Sequence, residues 1–80
     1  MGQKVEWEEI DRLLEEIAEG QRRKLLAFGR RIIPQLTSDD VLQPNDFPLL
    51  DHHPEFRYEE GMLAGLQAAQ IAIRANLRTR

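Results

Sequence analysis

PEFRYEEGMLAGLQAAQIAIRANL, residues 54–77, is the stretch that decides the fold. Pro54 suits the first position of a helix, where a backbone N–H has no intrahelical acceptor in any case. Glu55, Glu59 and Glu60 fall in the first two turns, and Arg74 and Arg78 fall at the end. That polarity matches the helix dipole. At helical spacing the segment carries two apolar faces on nearly opposite sides. Met62, Leu63, Leu66, Ile73 and Leu77 make a bulky one; Gly61, Gly65, Ala68, Ala72 and Ala75 make a small one. Between Gly61 and Ile73 there is no charge, and Gln67 and Gln70 are the only polar side chains. A helix that is apolar nearly all round has to be covered on more than one side. These 13 uncharged residues are too few to cross a bilayer, which takes about 20. Gly61-x-x-x-Gly65 is therefore read as tight packing in water, not as a membrane-helix motif.

A second long helix is expected upstream, over about residues 6–35. Ile10, Leu14, Ile17, Gln21, Leu25, Phe28, Ile32 and Leu36 recur at gaps of three and four residues. Gln21 is the polar member of that stripe. Gly20 beside it points to a close contact or a bend, since a mid-helix glycine costs about 1 kcal/mol relative to alanine. Pro34 disfavours helical geometry at Ile33, so the helix ends there or kinks and runs on for one turn. Trp7 is expected to close one end of the stripe.

Residues 36–53 form a long, proline-rich connector. Thr37-Ser38-Asp39-Asp40 is a helix-start signal, and one short turn is expected over 38–43. Pro44, Pro48 and Pro54 make the rest stiff and irregular. Val41, Leu42, Phe47, Leu49 and Leu50 are too apolar for a free linker and are expected to pack on the helices. Connectors of this length are uncommon in compact domains.

Charge comes in blocks: −5 over residues 1–19, +5 over 20–37, −6 over 38–60 and +3 over 61–80. An antiparallel pair of the two long helices puts opposite blocks side by side, and a parallel pair puts like blocks together. Each exposed pair is worth only about 0–1 kcal/mol, so the blocks choose an orientation more than they stabilise it. The expected fold is all-α: an antiparallel helical hairpin in one domain. One partner helix and one connector cannot cover both faces of residues 54–77. The expected solution is a homodimeric four-helix bundle with C2 symmetry. Gly61, Gly65, Ala68, Ala72 and Ala75, with Leu63 and Leu66, would make its contacts. A different protein docking on the same face is the other solution. Small size argues the same way, because one core in 70–80 residues rarely supplies more than about 3–5 kcal/mol.

The remaining composition excludes more than it assigns. The 80 residues carry 11 Lys+Arg against 14 Asp+Glu, and 41% are hydrophobic and 31% charged, values of a globular chain. Cysteine is absent, which removes disulfides and thiolate metal sites. The acidic start MGQKVEWEEI has no apolar run of a secretory signal, and Glu6 replaces the Ser or Thr that a myristoylation signal needs. A cytoplasmic location is the expectation, with no membrane partner and no cofactor.

Three groups of residues invite chemistry. Asp51, His52 and His53, with Asp46 nearby, offer metal-ligand types. Adjacent histidines point different ways, however, and Asp51 and His53 also suit the cap of the second long helix. Glu55 and Glu59 share a helix face, but the chain offers no nucleophile to pair with them: Ser38 is its only serine. Dipole compensation explains them, and no catalytic residue is assigned. Arg22, Arg23, Lys24, Arg30 and Arg31 form a basic patch of the type that holds nucleic-acid phosphates. The patch is short, without interleaved aromatics, and sits in an acidic protein. Neutralisation by acids of the second helix or of a partner chain is the preferred reading. The leading expectation is a small non-enzymatic interaction or scaffold protein; a nucleic-acid-binding dimer and a metal-dependent site are the alternatives.

Overall fold

A computed structural model describes residues 6–78, and among these there is helix and no strand. Helix α1 spans Trp7–Ile32 and helix α4 spans Pro54–Arg78. Between them lie α2 (Ser38–Val41), a 3-10 turn (Pro44–Asp46) and α3 (Pro48–Asp51). The all-α class read from the periodicity stands.

α1 stops where Pro34 requires it. Ile33 leaves the helix in an extended conformation, with its N–H still donating to the Gly29 carbonyl at 2.8 Å. The helix is therefore about a turn shorter than the spacing suggested. Leu36 lies outside it, yet it is buried, because the chain doubles back and lays Leu36 against Gly29. Arg30 Nε donates to the Leu36 carbonyl at 2.8 Å and holds that return.

The connector is more regular than expected. Thr37 and Asp40 form a reciprocal cap: Thr37 Oγ1 accepts from the Asp40 N–H at 3.1 Å, and Thr37 N–H donates to Asp40 Oδ2 at 3.0 Å. Pro44, Pro48 and Pro54 each open a helical element. The prolines that suggested irregularity thus preset the first backbone angle of three successive turns. Val41 and Leu50 are buried and Phe47 is half-buried. Leu42 and Leu49, also expected to pack, are exposed, because neighbours on a short helical turn point about 100° apart.

α1 and α4 lie along each other in opposite directions. Gln21 meets Glu59, Glu15 meets Gln70, and Asp11 meets Arg74, so residue numbers fall on one helix as they rise on the other. The buried seam of α1 runs through Ala18, Gln21, Leu25 and Gly29. That seam is rotated from the bulky stripe of the sequence: Ile17 is 54% exposed, and small residues take the contact instead. Gly20 was expected to mark a close contact or a bend, and there is no close contact: an added Cβ would meet only Arg23 Nη2, at 4.0 Å. The close approach is at Gly29, where a Cβ would stand 2.5 Å from Leu36 Cδ2 and 3.5 Å from Phe56 Cε2.

The core is polarised. Leu25, Leu36, Val41, Leu50 and Phe56 gather where the connector covers the helices, and Ala18 and Leu63 extend them along the α1–α4 seam. Beyond Ala18, towards Trp7 and Leu77, no hydrophobic side chain among the described residues is fully buried. That end is a two-helix arm of a molecule measuring 51 × 22 × 20 Å.

Candidate functional site

The exposed side of α4 is the feature that the intrachain packing leaves unexplained. Phe56, Leu63 and Gln70 recur every seven residues along the seam and are buried. Gly61, Gly65, Ala68, Ala72 and Ala75 lie on the opposite side, and all five are exposed. An added Cβ at Gly61 or Gly65 would meet nothing within 4 Å. Neither glycine is required by the fold of the single chain, although each weakens the helix by about 1 kcal/mol relative to alanine. Ile71, 67% exposed, and Met62, 43% exposed, flank this face. Met62 was read with the bulky face; it sits at the rim of that face and escapes burial. Leu63, read as a contact for a partner, is 6% exposed and already belongs to the core, while Leu66 is half-buried against it.

Two glutamines join the helices where polar residues meet the seam. Gln21 Nε2 donates to the Glu59 carbonyl oxygen at 2.9 Å and to Glu59 Oε1 at 2.8 Å. Gln70 Nε2 donates to Glu15 Oε1 at 2.9 Å. Each long helix thus supplies one amide and one carboxylate to the other. Lys24 Nζ lies 3.4 Å from Glu59 Oε1, and Arg74 lies 2.8 Å from Asp11 Oδ1 and 3.4 Å from Glu15 Oε1. Opposite charge blocks of the two helices therefore do touch. The buried polar atoms of the described side chains all have partners. A polar contact of this kind fixes register because a slipped helix leaves its amide unpaired.

These contacts set a pH dependence. The Gln70 amide, then Arg22 and Arg74, hold the Glu15 carboxyl below the usual carboxylate value. The Gln21 amide, then Lys24, do the same for Glu59. A carboxyl whose folded pKa is depressed binds its proton more readily in the unfolded chain. Its contribution to stability is therefore complete above the ordinary carboxylate value and is lost as pH falls through the lowered one. The thermal midpoint is expected to hold from neutral pH to about pH 5 and to drop below it. In Glu15→Gln/Glu59→Gln the midpoints at pH 7 and pH 3 should lie closer together than in the parent. An undiminished gap would show that these two carboxylates do not set the acid limb.

Arg23 and Arg30, and Lys24 and Arg31, stand seven residues apart and share the exposed side of α1, whereas Arg22 lies about 100° from Arg23 and outside that group. Arg22 pairs with Glu15 and Glu19, Arg23 with Glu19, and Lys24 with Glu59. Arg30 is held by the Leu36 carbonyl, and the Arg31 guanidinium lies 5.1 Å from the centre of the Phe28 ring. All five cations are engaged within the chain.

Asp51, His52 and His53 do not converge either. His53 Nδ1 accepts the Phe56 N–H at 3.3 Å, capping α4, and its ring stands edge-on to Phe28 with centroids 5.3 Å apart. His52 points to solvent, 3.8 Å from Asp51 Oδ2, while Asp51 Oδ1 lies 3.5 Å from Arg57. Among the described residues no three His, Cys, Asp or Glu side chains are grouped to hold a metal. Glu55 is exposed, whereas Glu59 on the same helix is half-buried and faces Gln21. Two open grooves, of about 440 and 390 Å³, flank Leu42 and share Val41 and Leu63. Ser38 is the one hydroxyl group among their lining residues, and no histidine or lysine lines either groove.

Comparison with protein-family models, with curated proteins and with solved structures finds no match in any of the three. No helix among the described residues is long and apolar enough to cross a membrane.

Proposed function

We propose that this chain is a small, non-enzymatic interaction protein that works through self-association, the small face of α4 forming the contact between two copies. One observation carries the reading. Gly61, Gly65, Ala68, Ala72 and Ala75 share an exposed face, and beyond the helix's own neighbouring backbone none of the described residues lies within 4 Å of a Cβ at either glycine. Small residues let a second backbone approach to about 8 Å, and contact over several turns offsets the weakness that glycine brings to the helix. Two hairpins joined in this way bury more apolar surface than one copy of 80 residues can bury alone. The nucleic-acid reading has less support because Arg22, Arg23 and Lys24 are paired with carboxylates of the same chain. The metal reading loses support because His53 Nδ1 is committed to the cap.

Light scattering behind size exclusion, over a range of concentrations, tests the proposal. The expected mass is twice the 9.3 kDa of one chain. Gly65→Leu should return the protein to monomer with its helicity intact, since leucine favours the helix but prevents the close approach. A parent that is monomeric at every concentration overturns the proposal. So does a Gly65→Leu variant that keeps the dimer mass.

A further inference from the structure

We infer that the outer side of α1 is a further contact between copies, two α1 helices lying antiparallel with the twofold axis beside Gly20. This contact lies on the other long helix from the one proposed above and does not depend on it.

Charge names the occupant. Glu9, Glu16, Arg23 and Arg30 stand at seven-residue intervals, and all four are exposed on the side of α1 turned away from its buried seam. Two acids are thus followed along one line by two bases. Arg12 pairs with Glu9 and Glu16, and Arg23 with Glu19, but these are pairs one turn apart between exposed side chains, which hold each other weakly in water. They also leave both halves charged. The exposed charges of residues 8–19 are Glu8, Glu9, Glu16 and Glu19 against Arg12, a balance of −3. Those of residues 20–31 are Arg23, Lys24, Arg30 and Arg31, a balance of +4. Lys24 meets Glu59 of α4 at 3.4 Å, whereas Arg30 Nε is bound by a neutral carbonyl and Arg31 lies against the Phe28 ring. The face therefore carries its own complement. An antiparallel copy sets Glu9 opposite Arg30 of the other copy and Glu16 opposite Arg23, each twice by symmetry. A parallel copy sets acid against acid and base against base.

Shape agrees with charge. Leu13, Gly20 and Ala27 form the neighbouring line, again at intervals of seven. Leu13 is 46% exposed, and Ile17, one turn on, is 54% exposed. No contact in the chain calls for glycine at position 20, where an added Cβ would meet only the tip of the Arg23 side chain. Beside the axis, Gly20 lets the two backbones approach. Leu13 of each copy then comes opposite Ala27 of the other, large against small. The outer sides of α1 and α4 point in opposite directions, so a chain that uses both contacts extends beyond a dimer.

Charge pairing at a surface weakens as salt screens it, the screening length falling from about 20 Å in about 20 mM salt to about 4 Å in about 500 mM. Light scattering on the full chain is compared under those two conditions. At the higher salt the mass reads the α4 contact alone; at the lower salt it is expected at least to double. Glu16→Lys and Arg23→Glu, each alone, should remove the increase, because each sets like charges together across the axis. The double variant Glu16→Lys/Arg23→Glu keeps the parent's net charge with the pair reversed, and it should restore the increase. Circular dichroism checks that each variant keeps its helix content. A parent mass that is the same in both salts overturns the inference. So does an increase that survives in either single variant, or one that the double variant fails to recover. A parent that is monomeric at the higher salt and associates at the lower would leave this contact standing and bring down the one on α4.

Discussion

Phe56→Ala is expected to abolish the cooperative thermal transition of this chain. Phe56 is fully buried and sits where three parts of the fold meet. Its ring centre is 6.5 Å from that of Phe28 on α1. Its edge lies beside Gly29, and its backbone N–H is bound by the His53 cap that starts α4. Truncating a buried phenylalanine to alanine costs about 3–5 kcal/mol, through lost burial and the cavity left behind. A single core in a chain of this size supplies about the same amount. The loss is therefore comparable with the whole of the stability. Circular dichroism on heating should show a broad, non-cooperative decline in place of a sigmoid. Phe56→Leu, which keeps most of the volume, should retain the sigmoid at a lower midpoint. A Phe56→Ala protein melting within a few degrees of the parent would mean that the connector-end core does not hold the fold.

Gly29→Val should destabilise by about 2 kcal/mol through overpacking. A Cβ at this position stands 2.5 Å from Leu36 Cδ2, and valine adds two further carbons towards Leu36 and Phe56. Both neighbours are fully buried, so neither can swing aside into solvent. The loss of backbone freedom on replacing glycine in a helix would by itself stabilise, by roughly 0.5–1 kcal/mol, and the clash has to exceed that. Gly20→Ala isolates the helical gain, because its added methyl meets only Arg23 Nη2 at 4.0 Å. Urea unfolding should therefore move the two variants in opposite directions. A Gly29→Val protein as stable as its parent would mean that the return of Leu36 onto α1 is loose.

Periodicity, prolines and charge carried much of the fold. Apolar spacing marked both long helices, and Pro34 and Pro54 marked the end of one and the start of the other to within a few residues. The seam of α1 was harder to read because its contact residues are Ala18 and Gly29. Small side chains bury little area and leave no strong mark in a hydrophobic stripe, yet they let α4 and Leu36 approach. Gln70 was missed for a related reason. A glutamine among alanines reads as a solvated position until a carboxylate, here Glu15, is found opposite it on the other helix. The connector was misread in texture: three prolines signal stiffness, but whether each opens a helical turn depends on whether the N–H groups that follow donate back to the carbonyls at its start, as those of Phe47, His52 and Arg57 do. The face of Gly61, Gly65, Ala68, Ala72 and Ala75 was legible as a face, and its exposure follows from the buried seam on the far side of α4. The cations at 22–24 diverge around α1, but Arg23 and Lys24 line up with Arg30 and Arg31 two turns on.

The uneven placement of the core bears on how the molecule opens. Hydrophobic burial is concentrated at the connector, whereas the far ends of α1 and α4 are joined by polar contacts, Gln70 to Glu15 and the exposed Arg74 to Asp11. Local unfolding draws on whichever contacts bridge a given segment, so the two helix ends can part while the connector end stays closed. Amide protons of the early turns of α1 and the late turns of α4 would then exchange with solvent through fluctuations far smaller than global unfolding.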